Sequence, residues 1–535
     1  MIDPLGLRRR ATDVAGDLRM LAGAGVLQPI RPAGIAAVVR EVRHWGLAQP
    51  AIYGVASALA PEREAVVDPS RRVTFAEFSR CANALANALA EDALAGQKVA
   101  LLARNSVGFA EAVDAVAKLG ADLILLNTGS AGPQLADVVR REDAVAVLHD
   151  DEFTGAVEAA VRGAGLTIPC YPMSKLAHLG ATGDPTPPPA PAHQTKPIIL
   201  TSGTTGTPKG ANRSTPRSVS PILALLSRIP YRMGDRVLIS APLFHSWGFA
   251  HLLAAGALAS TVVVRPRFDP EQVLATIDSE QVTVLVVVPA MLQRIMALPA
   301  DVWRRYDTST LRVISSSGSE LPGPLASQVM DAFGDVLYNL YGSTEVGWVS
   351  VAGPADLRDA PGTAGMPVRG VTLRLLDGAG QAVPEGEEGR IFAGSQLVFD
   401  GYTGGGTKEE IDGCMATGDI GRVDGKGRLF VSGREDDMIV SGGENVFPKE
   451  VEEEVIRLDG VAEAAVVGVP DEDYGQRLVA YVVREHGATT TEDDVKAAVR
   501  SRLARYKVPR DVVFVDELPR NATGKVLRKD LSSAT

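Results

Sequence analysis

Ile198-Ile199-Leu200-Thr201-Ser202-Gly203-Thr204-Thr205-Gly206-Thr207-Pro208-Lys209-Gly210 decides how this chain is read. The apolar triplet predicts the end of a buried strand, and the seven residues after it are all Thr, Ser or Gly. Glycines let backbone N–H groups turn toward an anion, hydroxyls add donors, and Lys209 adds a mobile cation. A strand running into such a loop suits a phosphate-bearing ligand. The loop is not a Walker A motif, because Pro208 precedes the lysine and Gly210 follows it where G-x-x-x-x-G-K-[ST] requires Gly and a hydroxyl residue.

Outward from the loop, apolar runs alternate with helical patterns through four-fifths of the chain. Strands are expected at Val99–Leu102, Leu123–Leu126, Val145–Leu148, Val284–Val288 and Leu311–Ile314, with an Ala-rich helix around Ala82–Ala90. This alternation predicts an α/β fold with largely parallel sheets. Asp184–Pro191 reads as a stiff Pro-rich connector. After about Gly433 the texture changes: a charged helix at Glu450–Leu458, strands at Ala464–Val469 and Leu478–Val483, and a helix at Glu492–Ala504. The expected architecture is a large N-terminal domain of layered α/β subdomains over residues 47–435 and a small α+β C-terminal domain over 436–535. There is no internal repeat.

The 535 residues carry 45% hydrophobic and 22% charged side chains, ordinary values for a soluble protein. A formal charge of −11 argues against nucleic acid as a partner. Cys81, Cys170 and Cys414 are too scattered for a disulfide framework or a zinc site and suit a reducing cytoplasm. Arg8-Arg9-Arg10 is not followed by an apolar h-region, so no secretory signal is expected. The uncharged stretch Val237–Val264 contains Pro242, His245 and His251 and reads as loop, buried helix and core strand.

Residues 1–46 differ in character: seven arginines face three aspartates and Glu41. Ile35, Val38, Val39, Val42 and Trp45 fall on one helical face, making this a basic amphipathic extension. Such a helix either packs on the enzyme body or makes peripheral contact with an anionic membrane.

Further motifs follow the phosphate loop in order: Phe244-His245-Ser246-Trp247-Gly248, Ser317-Gly318-Ser319-Glu320-Leu321, Tyr341-Gly342-Ser343-Thr344-Glu345 and Gly362–Pro367. Then come Thr417-Gly418-Asp419, Gly433–Asp437 with Ser441–Asn445, and Asn521-Ala522-Thr523-Gly524-Lys525. The series resembles that of the acyl-adenylate-forming superfamily (acyl-CoA synthetases, adenylation domains of peptide synthetases, firefly-type luciferases), over nearly the whole chain from about residue 50.

The resemblance implies ATP, Mg²⁺ and the co-substrate CoA, and a C-terminal domain that swivels between half-reactions. It implies that Thr201, Ser202, Gly203, Thr204, Thr205 and Gly206 cradle phosphate with Lys209. Ser317, Gly318, Ser319 and Glu320 would hold adenine, with Tyr341, Gly342 and Ser343 beside it. Asp419 and Arg434 would hold the ribose, and Thr344 the α-phosphate. Glu345, together with Thr204, would hold Mg²⁺, because a hard carboxylate suits that ion. Lys525 would place its ammonium against carboxylate and α-phosphate as negative charge concentrates there. Asp436 would be the hinge, and Ser441, Gly442 and Gly443 would border the CoA channel. His245, Trp247, Gly248, Gly342 and Trp348 would form the acyl pocket, the glycines leaving room for an extended chain.

The implied activity is a cytoplasmic acyl-CoA ligase, most similar to bacterial medium- to long-chain fatty-acid–CoA ligases; aryl and short-chain acids stay open, as does a homodimer. An acyl-AMP ligase serving a carrier protein and a membrane-associated scaffold without catalysis are the alternatives. Gly404-Gly405-Gly406 stands where the family usually has Pro-Glu, a departure expected to alter local shape rather than chemistry.

Overall fold

The computed structural model describes residues 16–27, 32–130, 132–201, 209–213, 220–435, 437–441, 444–471, 475–503, 507–521 and 524–532. Val- and Ile-rich runs can be buried on both faces, and here they form two mainly parallel sheets. The larger has nine strands, in the order Met366–Pro367, Gly347–Ala352, Leu337–Ser343, Val313–Ser316, Val284–Val287, Arg236–Ile239, Thr261–Val264, Glu64–Val67 and Arg72–Thr74. Its six central strands are parallel and its edge strands antiparallel. The stretch Val237–Val264 therefore opens with a strand where a loop was expected. The buried helix Ser246–Ala257 then leads to the expected core strand.

The second sheet runs Gly401–Tyr402, Lys209–Asn212, Pro197–Thr201, Asp122–Leu125, Lys98–Leu102, Ala146–His149 and Cys170–Pro172. Thr201 pairs with Lys209 across an antiparallel hairpin, so the phosphate-loop segment joins two adjacent strands. Apart from Gly401–Tyr402, the strands of residues 372–434 depart from the expected parallel alternation and form a five-stranded antiparallel sheet. Tight turns closed by Gly380 N–H to the Asp377 carbonyl and Gly427 N–H to the Asp424 carbonyl reverse the chain there, where no helix intervenes.

In the C-terminal region, Gly475–Arg484, the helix Glu492–Arg502 and Asp511–Val515 make a βαβ unit, and Val461–Asp471 pairs antiparallel with its first strand. The short strands Ile439–Ser441 and Glu444–Val446 complete this sheet. Lys449 reaches back to Glu320 (3.3 Å) and Gln293 to Glu463 (3.3 Å), tying this region to the larger sheet.

The N-terminal extension packs on the body. Asp17 pairs with Arg369 at 2.7 Å, and Met233 N–H donates to the Ala24 carbonyl. In the helix Pro32–Trp45, Trp45 is buried with its Nε1–H on Glu41, while His44 donates to the Pro188 carbonyl. The Pro-rich connector is thus docked as well, because Asn83 and Asn87 donate to its carbonyls at Pro185, Asp184 and Thr186.

Candidate active site

A cavity of about 950 Å³ lies beyond the C-terminal ends of the central strands of the larger sheet, where α/β sheets present their loops. The second sheet and the C-terminal region wall it. One end is cationic, bordered by Lys209, Arg213, Lys408, Arg434 and Lys525 around Glu345. The other is apolar, bordered by Ile52, Val55, Phe249, Leu253, Ala254 and Trp348.

At the cationic end, the chain leaves strand Leu337–Ser343 and returns along Gly347–Ala352 through a turn set by Ser343. Its Oγ accepts from the N–H groups of Glu345 and Val346 and donates to the Glu345 carboxylate at 2.8 Å. Gly342 and Gly347 are required here: a Cβ on Gly342 would sit 2.1 Å from the Gly347 carbonyl oxygen, and Gly347 has φ +75°. Thr344 and Glu345 are thereby presented to the cavity. Tyr402 donates to the other carboxylate oxygen at 2.9 Å. Burial pushes the Glu345 carboxyl up, but the Lys408 charge and the hydrogen bonds from Ser343 and Tyr402 outweigh it and hold the group below its usual range. Glu345 is an ionised carboxylate, 8% exposed, with spare lone pairs. Among the described residues no three His, Cys, Asp or Glu side chains cluster as metal ligands. A single carboxylate fits Mg²⁺, which keeps its waters and takes phosphate oxygens.

Lys209 lies 5.5 Å from the Tyr402 ring centroid, so Tyr402 touches both the lysine and Glu345. Arg213 donates to the Thr344 carbonyl; burial lowers its guanidinium to about 10 against the opposing pull of Glu345 and Asp400. Lys408 donates to the Thr417 carbonyl at 2.6 Å. Asp419 and Arg434 face each other across paired strands, 3.5 Å apart, and Tyr341 donates to Asp419 at 2.6 Å. Burial raises the Asp419 carboxyl, opposed by Arg434 and Tyr341. Lys525 reaches the cavity from the C-terminal region, in a loop where a Cβ on Gly524 would meet Ala290 Cβ at 2.5 Å. That close approach seats the loop against the N-terminal domain.

Ser317 and Gly318 border the cavity; Ser319 and Glu320 do not, and Glu320 pairs instead with Lys449. At the apolar end, Trp247 is fixed by Nε1–H to the Val287 carbonyl, and burial lowers His245 to about 4, leaving it neutral at pH 7. Gly248 lies off the cavity wall. A Cβ there would sit 2.4 Å from the Pro242 carbonyl oxygen, so Gly248 serves backbone packing, whereas Gly342 both borders the cavity and meets the Gly347 carbonyl. Ser202, Gly203, Thr204, Thr205, Gly206, Asp436, Gly442 and Gly443 lie outside the described residues; Ser441 pairs with Glu444 and Gly475 at the edge of the C-terminal sheet. Sequence reasoning missed Arg213, Tyr402 and Lys408. The last two flank the Gly404–Gly406 departure, and only the pairing of Gly401–Tyr402 onto Lys209–Asn212 brings Tyr402 in.

A family model described as AMP-binding enzyme matches residues 55–403, and one for the AMP-binding enzyme C-terminal domain matches 450–525. The chain is 35% identical over 481 residues to feruloyl-CoA synthase of Amycolatopsis sp, covering 88% of this chain and 96% of that protein. It is 34% identical over 493 residues to indoleacetate–CoA ligase of Aromatoleum aromaticum, covering 89% and 96%. Among solved structures, the anthranilate CoA ligase AuaEII in complex with anthranoyl-AMP matches with a TM-score of 0.82 at 28% identity, covering 91% of this chain and 97% of that one. The Mycobacterium tuberculosis fatty acyl CoA synthetase matches at 0.73 and 27%, covering 91% and 98%.

Proposed function

The chain belongs to the AMP-binding enzyme family, and from that premise we propose that it is an AMP-forming acid–CoA ligase acting on a carboxylic acid with an uncharged, apolar body. The observation that carries the reading is one cavity lined at one end by five cations with the ionised Glu345 and with Asp437, and by an apolar wall at the other. The substrate carboxylate attacks the α-phosphorus of ATP, the bond to pyrophosphate breaks, and acyl-AMP forms. The CoA thiol then attacks the acyl carbon and AMP leaves.

Lys525 and Arg213 offset the charge on the reacting oxygens, Lys209 holds phosphate, and Asp419 with Arg434 holds the ribose. Thr344 donates to the α-phosphate, and Glu345 holds Mg²⁺, which when bound neutralises charge on the phosphates. Asp436 is the hinge about which the C-terminal domain turns for thioester formation. Ser441, Gly442 and Gly443 border the thiol path.

Within this class we favour an elongated acid, a medium- to long-chain fatty acid. The apolar wall continues past Trp348 and Phe249 to Ile52, Val55 and Leu47, and no charged side chain among the described residues borders that end. An aryl acid is the second reading, favoured by the relatives named for feruloyl and indoleacetate substrates. Pyrophosphate release and AMP formation with a panel of aliphatic and aryl acids, with and without CoA, test both. Preference for long aliphatic acids supports the first reading and preference for aryl acids the second. Pyrophosphate without thioester replaces the CoA step by transfer to another acceptor, and silence with every acid overturns the ligase.

A further inference from the structure

One wall of the active site has little of its own to hold it. Tyr402, which touches both Lys209 and Glu345, sits on the two-residue strand Gly401–Tyr402, and the exposed Gly404, Gly405 and Gly406 follow shortly after. Backbone pairing ties the strand to the hairpin that ends at Lys209. Gly401 lies opposite Asn212 and Tyr402 opposite Ala211, and the Thr403 N–H donates to the Gly210 carbonyl at 2.9 Å. A strand so short, set among glycines, opens locally with ease unless a side chain anchors it.

The anchor is a carboxylate outside the cavity. Glu142 follows the helix Gly132–Arg141 and is fully buried. Its Oε1 accepts from the Thr403 hydroxyl at 2.9 Å and from Arg141 Nε and Nη2 at 3.1 and 3.0 Å. The Gly210 carbonyl, 3.4 Å from the same hydroxyl, is a second and longer acceptor. Glu142 Oε2 has no hydrogen-bond partner among the described residues. A buried carboxylate with one oxygen unmet costs stability rather than adding to it, so stability does not account for this residue. Gly210 makes the meeting possible: a Cβ there would lie 2.7 Å from Thr403 Oγ1 and 3.0 Å from Glu142 Oε1. The pair closes behind the Lys209 hairpin, one residue from Tyr402.

We propose that Glu142 and Thr403 are positioning residues for adenylate formation: together they pin the Gly401–Thr403 segment to the Lys209 hairpin and so keep the Tyr402 hydroxyl on Glu345. The proposal rests on the ligase reading above. Neither residue borders the cavity, and both act through Tyr402. The Tyr402 ring lies 5.5 Å from Lys209 and its hydroxyl donates to Glu345 at 2.9 Å, so a shift of the segment by about 1 Å disturbs both contacts at once.

Thr403→Val removes the hydroxyl at nearly constant volume, and Thr403→Ser keeps it. In a pyrophosphate-release assay of the full chain, Thr403→Val should lower kcat about tenfold with the KM for acid little changed, and Thr403→Ser should stay within about twofold of wild type. Glu142→Ala should lower kcat about fivefold, the smaller loss reflecting the Gly210 carbonyl that still takes the Thr403 hydroxyl. In a Tyr402→Phe background, Thr403→Val should cost less than about a further twofold, because the bond it protects is already gone. In the chain without ATP, hydrogen exchange at the Tyr402 and Thr403 amides should quicken about tenfold in Thr403→Val, with the thermal midpoint close to wild type. Wild-type kcat in Thr403→Val, the same loss in Thr403→Ser, a loss that recurs in full beside Tyr402→Phe, or unchanged exchange each overturns the proposal. Failure of the ligase reading is separate: it shows as absent pyrophosphate release by the wild-type chain with every acid.

Discussion

At the end of the cavity that holds Glu345, position is set by hydrogen bonds between short loops; at the end that holds Phe249 and Leu253, it is set by close contact between helices. Tyr402 and Arg213 each fix one oxygen of the Thr344–Glu345 turn and Ser343 holds its backbone and carboxylate together, so a single polar change there should alter charge placement more than the fold. The helix Ser246–Ala257 meets Gln49–Leu59 so closely that a Cβ on Gly256 would lie 2.8 Å from Ile52, and Tyr53 donates to the Leu252 carbonyl. Changes at that end should register first as stability or as substrate preference. The polar end is built for charge and the apolar end for shape.

The sharpest way to break this contrast is Lys525→Ala. Adenylate formation should fall by about 10²–10³-fold, while thioester formation from supplied acyl-AMP is retained. Equal loss in both half-reactions would remove Lys525 from the polar end's chemistry.

Acid should next expose the apolar end. His251 is 2% exposed, its Nδ1 on the Trp247 carbonyl and its Nε2 2.8 Å from the Tyr231 hydroxyl. Burial lowers it from 6.5 to about 4, with the Trp247 hydrogen bond opposing. A depressed histidine means that the unfolded chain takes up a proton first, so stability is full above pH 6.5 and is lost as pH falls toward 4, by about 3 kcal/mol. Urea unfolding across that window should show the loss, and His251→Gln should remove its share while leaving that of His245, which burial depresses likewise. A variant with wild-type pH dependence would assign the loss elsewhere.

Gly248→Ala should lower stability by about 1–3 kcal/mol, because the added carbon meets the Pro242 carbonyl rather than open cavity. A thermal midpoint unchanged from wild type, with altered acid preference, would return Gly248 to the acyl wall. The smallest effect is expected from Arg213→Lys, which keeps charge but loses the fork that grips the Thr344 carbonyl. Adenylation kcat should drop roughly tenfold with the KM for acid little changed. A change confined to KM would make Arg213 a substrate contact only.

Much of the polar end was legible beforehand because its parts are local. Glu345 follows Ser343 by two residues, and Lys209 ends a hairpin begun at Thr201. The same holds for the strands of the two parallel sheets, whose Val- and Ile-rich runs announce burial on both faces. Tyr402 and Lys408 were not legible, since a two-residue strand in a glycine-rich segment carries no periodic signal. Nor was the antiparallel sheet of residues 372–434, because turns of Gly and Asp resemble any surface loop until their strands pair.

The amino-acid sequence by itself determined the chemical inventory: a hydroxyl- and glycine-rich loop with its lysine, one acidic turn, a late lysine and an α/β frame to carry them. These are short-range properties, written in neighbouring side chains. Only the tertiary structure decided which distant groups share the Glu345 site, why Gly248 and Gly342 are glycines, and where the N-terminal helix sits. Those depend on contacts between segments far apart in the chain, made by backbone pairing and close packing that no local pattern encodes.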